Sequence, residues 1–553
     1  AGLLEEVSFL STARAGHWTA LGSPARIGGM ELTGKNLIGG RESGVGEATL
    51  RGVNPVDGRE LQTSFYEASE VEVEEAMTLA AEAAKQMRTY PAEKLAGLCE
   101  AIAAKLEEHK VALLDRCGAE CAYPEARLNG EFGRTVGQLR QFAAVAREGA
   151  WMEAKIDHAD PDRQPLPKPD VRSMRRPIGP IVVFGASNFP LALSCAGGDT
   201  ASALAASCPV VVKGHPSHPG TCEIAGRAIV EAVEECGFPA GTFSLLQGAS
   251  NDLGKMLVEH EATAAVGFTG SLRGGRALFD LAAARETPIP VYAEMGSFNP
   301  QFVFAGKLEA EPEAFAEALF GSMTMGNGQF CTNPGLVFMP QGDGTEKFLA
   351  KYRELIEATP GSAMLNAGIQ AAFESGVDTV AKLDGVEIVR GEVSGDGCQV
   401  GLALVTLSQG TFEANRDAFE EEIFGPSTVV VICPDETGYA MLAEGFPGQL
   451  ASSIHGTPAD FEGAGELMEV LSEYAGRLLV NGFPTGIEIC HAMHHGGLYP
   501  AATSAQFTSI GLSSIARWGR PVSYQSAPDS LLPDALKEGN PLGIPRLVDG
   551  KLS

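Results

Sequence analysis

The sequence predicts an α/β protein of two lobes, and three observations lead to that reading. Short apolar runs alternate with helix-length stretches rich in Ala, Leu and Glu, over Ile181–Phe184, Val210–Lys213, Phe243–Leu246, Ala264–Phe268 and Ile289–Ala293. Such alternation marks a parallel sheet covered on both faces, because each strand is buried on two sides and each crossover needs a helix. A second series, Gln301–Phe304, Gly335–Met339, Thr428–Ile432 and Arg477–Val480, follows Pro300, so a junction is expected between Gly296 and Pro300. Finally, Asp157–Pro169 holds four prolines and several charges and reads as a linker ahead of the first series.

Taken in order, residues 1–29 lack a clear period and carry Glu5 and Glu6, where a signal or transit peptide would avoid acid, and are expected to be a tail. Val71–Arg88 and Ala92–Cys117 alternate Ala/Leu/Met faces with Glu/Lys faces and predict surface-packed helices, with another over Pro124–Glu148. Cys117 and Cys121 then share one helix face and read as core. Gly179–Gly198 holds no charged residue, but Pro180, Gly185, Asn188 and Pro190 would leave backbone groups unpaired in lipid. It reads as buried strand, loop and helix start, and no membrane span is expected. Among the 553 residues, 41 Lys+Arg stand against 70 Asp+Glu, and the resulting charge of −29 opposes a nucleic-acid partner. Eleven cysteines without regular spacing suggest a reducing, cytoplasmic setting rather than a disulfide framework.

Three local patterns carry possible chemistry. In Met325-Gly-Asn-Gly-Gln-Phe-Cys331-Thr-Asn-Pro-Gly335, a cysteine between glycine-rich turns sits on tightly bent backbone, where its sulfur and its N–H can face one carbonyl. The bland alternative is a small buried hydrophobe. In Val291-Tyr-Ala-Glu294-Met-Gly296, a carboxylate ends an apolar strand, as a part-desolvated general base or as a cap. In Phe184-Gly-Ala-Ser-Asn188-Phe-Pro190, an amide on the first strand-to-helix loop is an oxyanion donor or a turn residue.

Together these patterns resemble the NAD(P)-dependent aldehyde dehydrogenase family. Asn188-Phe-Pro190, Lys213 after Val-Val-Val, Phe268-Thr269-Gly270-Ser271, Glu294-x-Gly296, Gly328-Gln-Phe-Cys331 and Glu422-Ile-Phe424-Gly-Pro426 occur in that family's order. The resemblance implies a Rossmann-type cofactor domain (30–152 and 180–296), an α/β catalytic domain (297–506) and a small β oligomerisation arm. Segments 153–179 and 507–524 would exchange between subunits of a homodimer or homotetramer, and 525–553 would be a C-terminal extension. It further implies that Cys331 is the nucleophile, Glu294 the base that activates the deacylating water, and Asn188 the oxyanion donor. Lys213 would hold the adenosine ribose, Phe268, Thr269, Gly270 and Ser271 would open the helix beside the pyrophosphate, and Glu422 and Phe424 would place the nicotinamide ribose and ring.

Departures from the family pattern refine these expectations. Ser187 stands where a Trp is usual. After Lys213 the chain reads Gly214-His215-Pro216-Ser217-His218, without the usual carboxylate that would clash with a 2′-phosphate, so NADP is expected, with NAD as the alternative. Gly34–Gly40, Val53–Gly58, Gly133–Arg140, Cys331–Gly335, Asn481–Gly486 and His495–Pro500 resemble the 2,5-dioxovalerate (2-oxoglutarate semialdehyde) dehydrogenases, a branch that includes long-chain aldehyde dehydrogenases. The implied reaction is oxidation of 2,5-dioxopentanoate, or alternatively a fatty aldehyde, to the acid. A CoA-acylating enzyme would lack Glu294, and a silent binding protein would have lost one of the three catalytic candidates. Arg134, with Gln138 one turn on, would hold the far carboxylate of a dioxo-acid, unless it is a solvent-facing salt-bridge residue. His495 is expected in a loop lining the substrate entrance, and its spacing with His491 and His494 is set aside as a metal site because the surrounding Gly and Pro predict a loop.

Overall fold

The computed structural model describes residues 26–27, 30–393 and 395–553, so that most of the expected tail lies outside the described residues. Two seven-stranded sheets and a five-stranded sheet organise the chain. In the first, five parallel strands run in the order Val291–Glu294, Ala265–Thr269, Ile181–Phe184, Val210–Lys213 and Phe243–Leu246. An antiparallel hairpin, Asn36–Ile38 and Arg41–Ser43, extends its edge through a Gly39-Gly40 turn whose φ values of 54° and 78° suit only glycine comfortably. The register pairs Glu294 with Thr269, Phe268 with Phe184, Phe184 with Lys213 and Lys213 with Leu246. All five carboxyl ends therefore form one row. The chain builds outward from Ile181–Phe184 in one direction, then returns to its other side at Ala265–Thr269, so the order reverses beside Phe184. Crevices at such a reversal are where α/β sheets take ligands.

Helices cover this sheet. Glu70–Met87 opens with a reciprocal Ser69–Glu72 capping box. Where one helix was expected over Ala92–Cys117, two form, Ala92–Glu108 and Lys110–Cys121, because His109 leaves helical geometry at φ −93°, ψ 6°. Glu125–Glu148 buries Leu128, Phe132, Val136, Leu139 and Phe142 along one stripe and presents Arg134 toward the crevice side.

The second seven-stranded sheet runs Val386–Arg390, Ala403–Ser408, Ser427–Cys433, Leu336–Pro340, Gln301–Val303, Gln449–His455 and Ala475–Val480, parallel except for the first strand. Leu336 pairs with Val429, so the loops that carry Cys331 and Glu422 enter neighbouring strands side by side. The third sheet joins Gly519–Gln525, Val171–Pro177, Lys155–Asp157, Leu547–Val548 and Lys551–Leu552. Residues 525–553 thus include two strands of this arm, and the expected linker over Asp157–Pro169 is closed by a bridge between Asp160 and Lys168. Among the described residues no helix is long and apolar enough to cross a membrane.

Candidate active site

Cys331 follows a turn in which Gly326, Asn327 and Gly328 are all left-handed, at φ 59°, 56° and 68°. A Cβ on Gly328 would lie 2.2 Å from the carbonyl carbon of Gly425, so the two loops touch backbone to backbone. Asn333 tightens the same contact by donating its amide to the carbonyls of Gly425 and Ser427, each at 3.3 Å. From the other side, Asn299 donates to the carbonyls of Cys331 and Asn333, each at 2.9 Å. Asn299 is itself held by Gln449, whose Oε1 accepts from Ser297 Oγ at 2.8 Å and from the N–H groups of Phe298 and Asn299 at 3.1 Å. Three segments distant in sequence are thereby fixed around one thiol.

The thiol is buried, and its Sγ lies 3.6 Å from His495 Nε2. The same nitrogen is 2.9 Å from Glu294 Oε1, while Ser509 Oγ donates to Glu294 Oε2. His495 is pinned through its own backbone, donating its N–H to Thr508 Oγ1 at 2.7 Å and accepting from Ser509 N at 2.8 Å. Burial pushes the Cys331 thiol well above its usual value, the nearby carboxylates of Glu294 and Glu422 add to that, and Arg134 opposes it. Burial would also raise Glu294, but His495, Ser509 and Cys331 outweigh it and leave the carboxyl below its ordinary range. At neutral pH Cys331 therefore rests as the thiol and Glu294 as the carboxylate, and both face one nitrogen of the ring, His495 Nε2. That nitrogen is placed to take the thiol proton when substrate arrives, with the carboxylate near enough to steady the resulting charge. The three donor atoms lie within 4.8 Å of one another, a spacing at which a thiophilic cation would also be held.

Around this cluster, Asn188 is buried beside the Cys331 loop and donates to Gln329 O at 2.9 Å. Its carbonyl accepts from Tyr123 OH at 3.2 Å and Arg127 Nη2 at 2.8 Å. Phe189 and Phe330 meet edge to face at 4.9 Å and form an apolar wall. Arg134 lies over Phe189 at 5.5 Å, with its Nε and Nη2 buried and unpaired. Burial lowers its pKa, and Glu131, Cys331 and Glu294 are close enough to oppose that shift. Among the described residues Arg134 forms no salt bridge of the kind considered from sequence. Gln138 is buried with its Nε2 also unpaired. Sequence reasoning missed Arg477, a second part-buried cation within electrostatic range of Cys331, whose Nη1 donates to Gly486 O at 2.7 Å. It also missed Ser509; neither has a local signal, since each depends on chain segments more than 140 residues from Cys331 in sequence.

At the other end of the crevice, Lys213 is half-buried and pairs with no carboxylate among the described residues, and its pKa falls to about 8, chiefly by desolvation. His215 is held well below its ordinary value by burial, then by His218 and Lys213, and its Nδ1 accepts from Ser217 N at 3.2 Å. It is therefore neutral and offers Nε2–H only. His218 does not serve as a donor to the crevice. Its Nε2 donates to Ala186 O at 2.9 Å and its Nδ1 lies 3.4 Å from Cys222 Sγ. Pro216 and Ser217 complete the loop, and Ser217 Oγ accepts from Asn366 at 2.9 Å. Phe268 and Thr269 end their strand, Gly270 N donates to Glu294 O at 3.0 Å, and Ser271 caps the helix Leu272–Ala284. Glu422 and Phe424 line a narrow pocket with Ser297, Phe298 and Asn333. Burial pushes the Glu422 carboxyl up to about 8, with the Ser297 N–H opposing and Glu294 adding. A half-buried ammonium without a carboxylate partner among the described residues, an exposed helix start and a carboxyl-lined pocket along one crevice fit an anionic dinucleotide.

Known proteins resemble this chain in sequence and fold. The chain is 48% identical to alpha-ketoglutaric semialdehyde dehydrogenase 2 of Azospirillum brasilense, over 94% of this chain and 100% of that one. It is 39% identical to alpha-ketoglutaric semialdehyde dehydrogenase of Acinetobacter baylyi, over 95% and 99%. The fold superposes on 1-pyrroline-5-carboxylate dehydrogenase from Thermus with bound NAD at a TM-score of 0.74 and 21% identity, covering 89% of this chain and 92% of that one. With the aldehyde dehydrogenase family model matching residues 43–504, and with a thiol, an imidazole and a carboxylate meeting beside the crevice, this chain belongs to the aldehyde dehydrogenase family.

Proposed function

We propose that this protein oxidises 2-oxoglutarate semialdehyde to 2-oxoglutarate, and that NADP is the hydride acceptor, with NAD as the alternative. The observation that carries the substrate is Arg134: a guanidinium buried beside the reactive cluster with two nitrogens unpaired is suited to a carboxylate brought in by the substrate. The two relatives named above support the same substrate. An apolar aldehyde is the second reading, favoured by the Phe189–Phe330 wall.

In this reading the Cys331 thiol passes its proton to His495, whose charge Glu294 steadies, and the thiolate adds to the aldehyde carbonyl. Asn188 turns from Gln329 O to share the alkoxide with the Cys331 N–H. The bound nicotinamide supplies the hydride acceptor. A thioester is left on Cys331. Glu294 then takes a proton from water as that water attacks the thioester; the C–S bond breaks, the acid leaves, and the proton held on His495 returns to the sulfur to restore the thiol. Lys213 and the neutral His215 hold the adenosine end, Ser271 and the helix start the pyrophosphate, and Glu422 and Phe424 the nicotinamide side. Residues 30–152 and 180–296 serve as the nucleotide unit and 297–506 as the thiol unit. The Gly519–Gln525 strand lies at an open edge of the arm, which supports pairing with a second copy. The test is NADPH and NADH formation from 2,5-dioxopentanoate, succinic semialdehyde and hexanal. Preference for hexanal over the dioxo-acid would overturn the substrate.

A further inference from the structure

The carboxyl end of the second strand in a mononucleotide-binding unit is where the adenosine ribose lies. Here that end is Lys213, and the neighbouring strand, paired Lys213 to Leu246, runs into Gln247-Gly248-Ala249-Ser250. Glu67, from a segment far earlier in the chain, is laid onto this loop. Its Oε2 accepts from Ala249 N at 3.0 Å and from Ser250 N at 3.3 Å. Gly248 makes the approach possible, since a Cβ there would sit 2.8 Å from Glu67 Cγ. The following helix, Asn251–Glu259, does not need Glu67 as its cap, because Ser250 Oγ already accepts from Leu253 N at 3.2 Å. Glu67 thus occupies an additional pair of N–H groups just ahead of a helix start. Two adjacent amides at that position, beside an unpaired ammonium, are suited to an anion. Lys213 and Glu67 are also within electrostatic range of one another without forming an ion pair.

We propose that Glu67 is a cofactor-selecting residue, an internal carboxylate seated on the amides that a 2′-phosphate would otherwise use. It limits the preference for NADP that the absence of a carboxylate at Pro216 would allow, so that both cofactors are used. This rests on the placement of the adenosine ribose at Lys213. The experiment is calorimetric titration of 2′,5′-ADP and 5′-AMP into the full chain and into Glu67→Gln and Lys213→Ala. Gln keeps an acceptor for the two N–H groups and removes only the charge. Glu67→Gln should tighten 2′,5′-ADP roughly tenfold and shift 5′-AMP less than twofold, with the NADP:NAD ratio of kcat/KM moving by the same factor and the aldehyde KM unchanged. An equal change in both ligands, or in neither, would overturn the proposal and leave Glu67 a structural group. Should Lys213→Ala weaken neither ligand, the ribose placement itself fails, an outcome separate from that of Glu67.

Discussion

The thiol centre and the two ends of the crevice are built on opposite plans. Around Cys331 the chain holds its own backbone: Asn299 holds two carbonyls, Gln449 holds Asn299, Asn333 ties the loop to Gly425 and Ser509 holds Glu294, while Glu294 Oε1, His495 Nδ1, Thr332 Oγ1 and Asn333 Oδ1 have no hydrogen-bond partner among the described residues. At the ends, two nitrogens of Arg134 and the Nε2 of Gln138 are buried with no partner among the described residues, and the half-buried Lys213 pairs with no carboxylate there. An unsatisfied buried donor costs about 1–3 kcal/mol, and more when charged. The fold bears that cost where a ligand can remove it. The backbone that carries the thiol is held by the chain, and the cations that would recognise a substrate are left for the ligand.

Substitutions at each pole should therefore behave differently. Cys331→Ala should lower NADPH formation roughly 1,000-fold or more, because the covalent step has no substitute; residual turnover within tenfold would remove the thiol from the mechanism. Glu294→Gln should cost about 100-fold or more in steady-state turnover, with thioester hydrolysis slowed more than the hydride step in single-turnover traces. Equal slowing would deny it the deacylating role. Arg134→Ala should raise KM for the dioxo-acid about 10- to 100-fold, the size of a charge-assisted contact, and change hexanal less than twofold. Since two of its guanidinium nitrogens have no hydrogen-bond partner among the described residues, the melting temperature should not fall. Gln449→Ala should do the reverse, leaving KM nearly unchanged while costing about 1–3 kcal/mol of stability through orphaned donors; a melting temperature equal to that of the parent would break the contrast. The last effect, at Glu422, appears only as pH is varied. Its folded pKa, about 8, lies above its unfolded value, so its contribution is complete below the unfolded pKa and is lost as pH rises toward 8. Glu422→Gln should gain stability relative to the parent as pH rises from 5 to 8, then level off, as read by melting curves across that range.

Much of the first sheet was legible because Ile181–Phe184, Val210–Lys213 and Phe243–Leu246 are short runs buried on both faces, the form that parallel strands take in sequence. Gln449–His455 was not, since Gln-Leu-Ala-Ser-Ser-Ile-His is wholly buried yet half polar, and only its tertiary partners, such as Pro300 O for Ser452 and Gln301 for His455, make burial tolerable. Ala403–Ser408 was likewise passed over. The break at His109 has no Gly or Pro to announce it. Within the site, Cys331, Glu294 and Asn188 were found from their loops and their order. The contact of His495 with Cys331 spans 164 residues and could be known only from the folded chain. The Gly39-Gly40 hairpin carried a turn signal in plain view.

The Gly328–Gly425 contact fixes the separation between the loop that bears the thiol and the loop that bears Glu422 and Phe424. A spacing set by main chain alone has no rotamer to fluctuate and no side chain to trim. Neither position can drift by single substitutions, because any added Cβ at Gly328 would part the loops, and Gly425, at φ 158°, also abuts the ring of Phe373. Laboratory evolution toward new aldehydes should therefore change the Arg134 and Phe189 walls freely while these two glycines stay invariant, since they carry the ruler of the site rather than its chemistry.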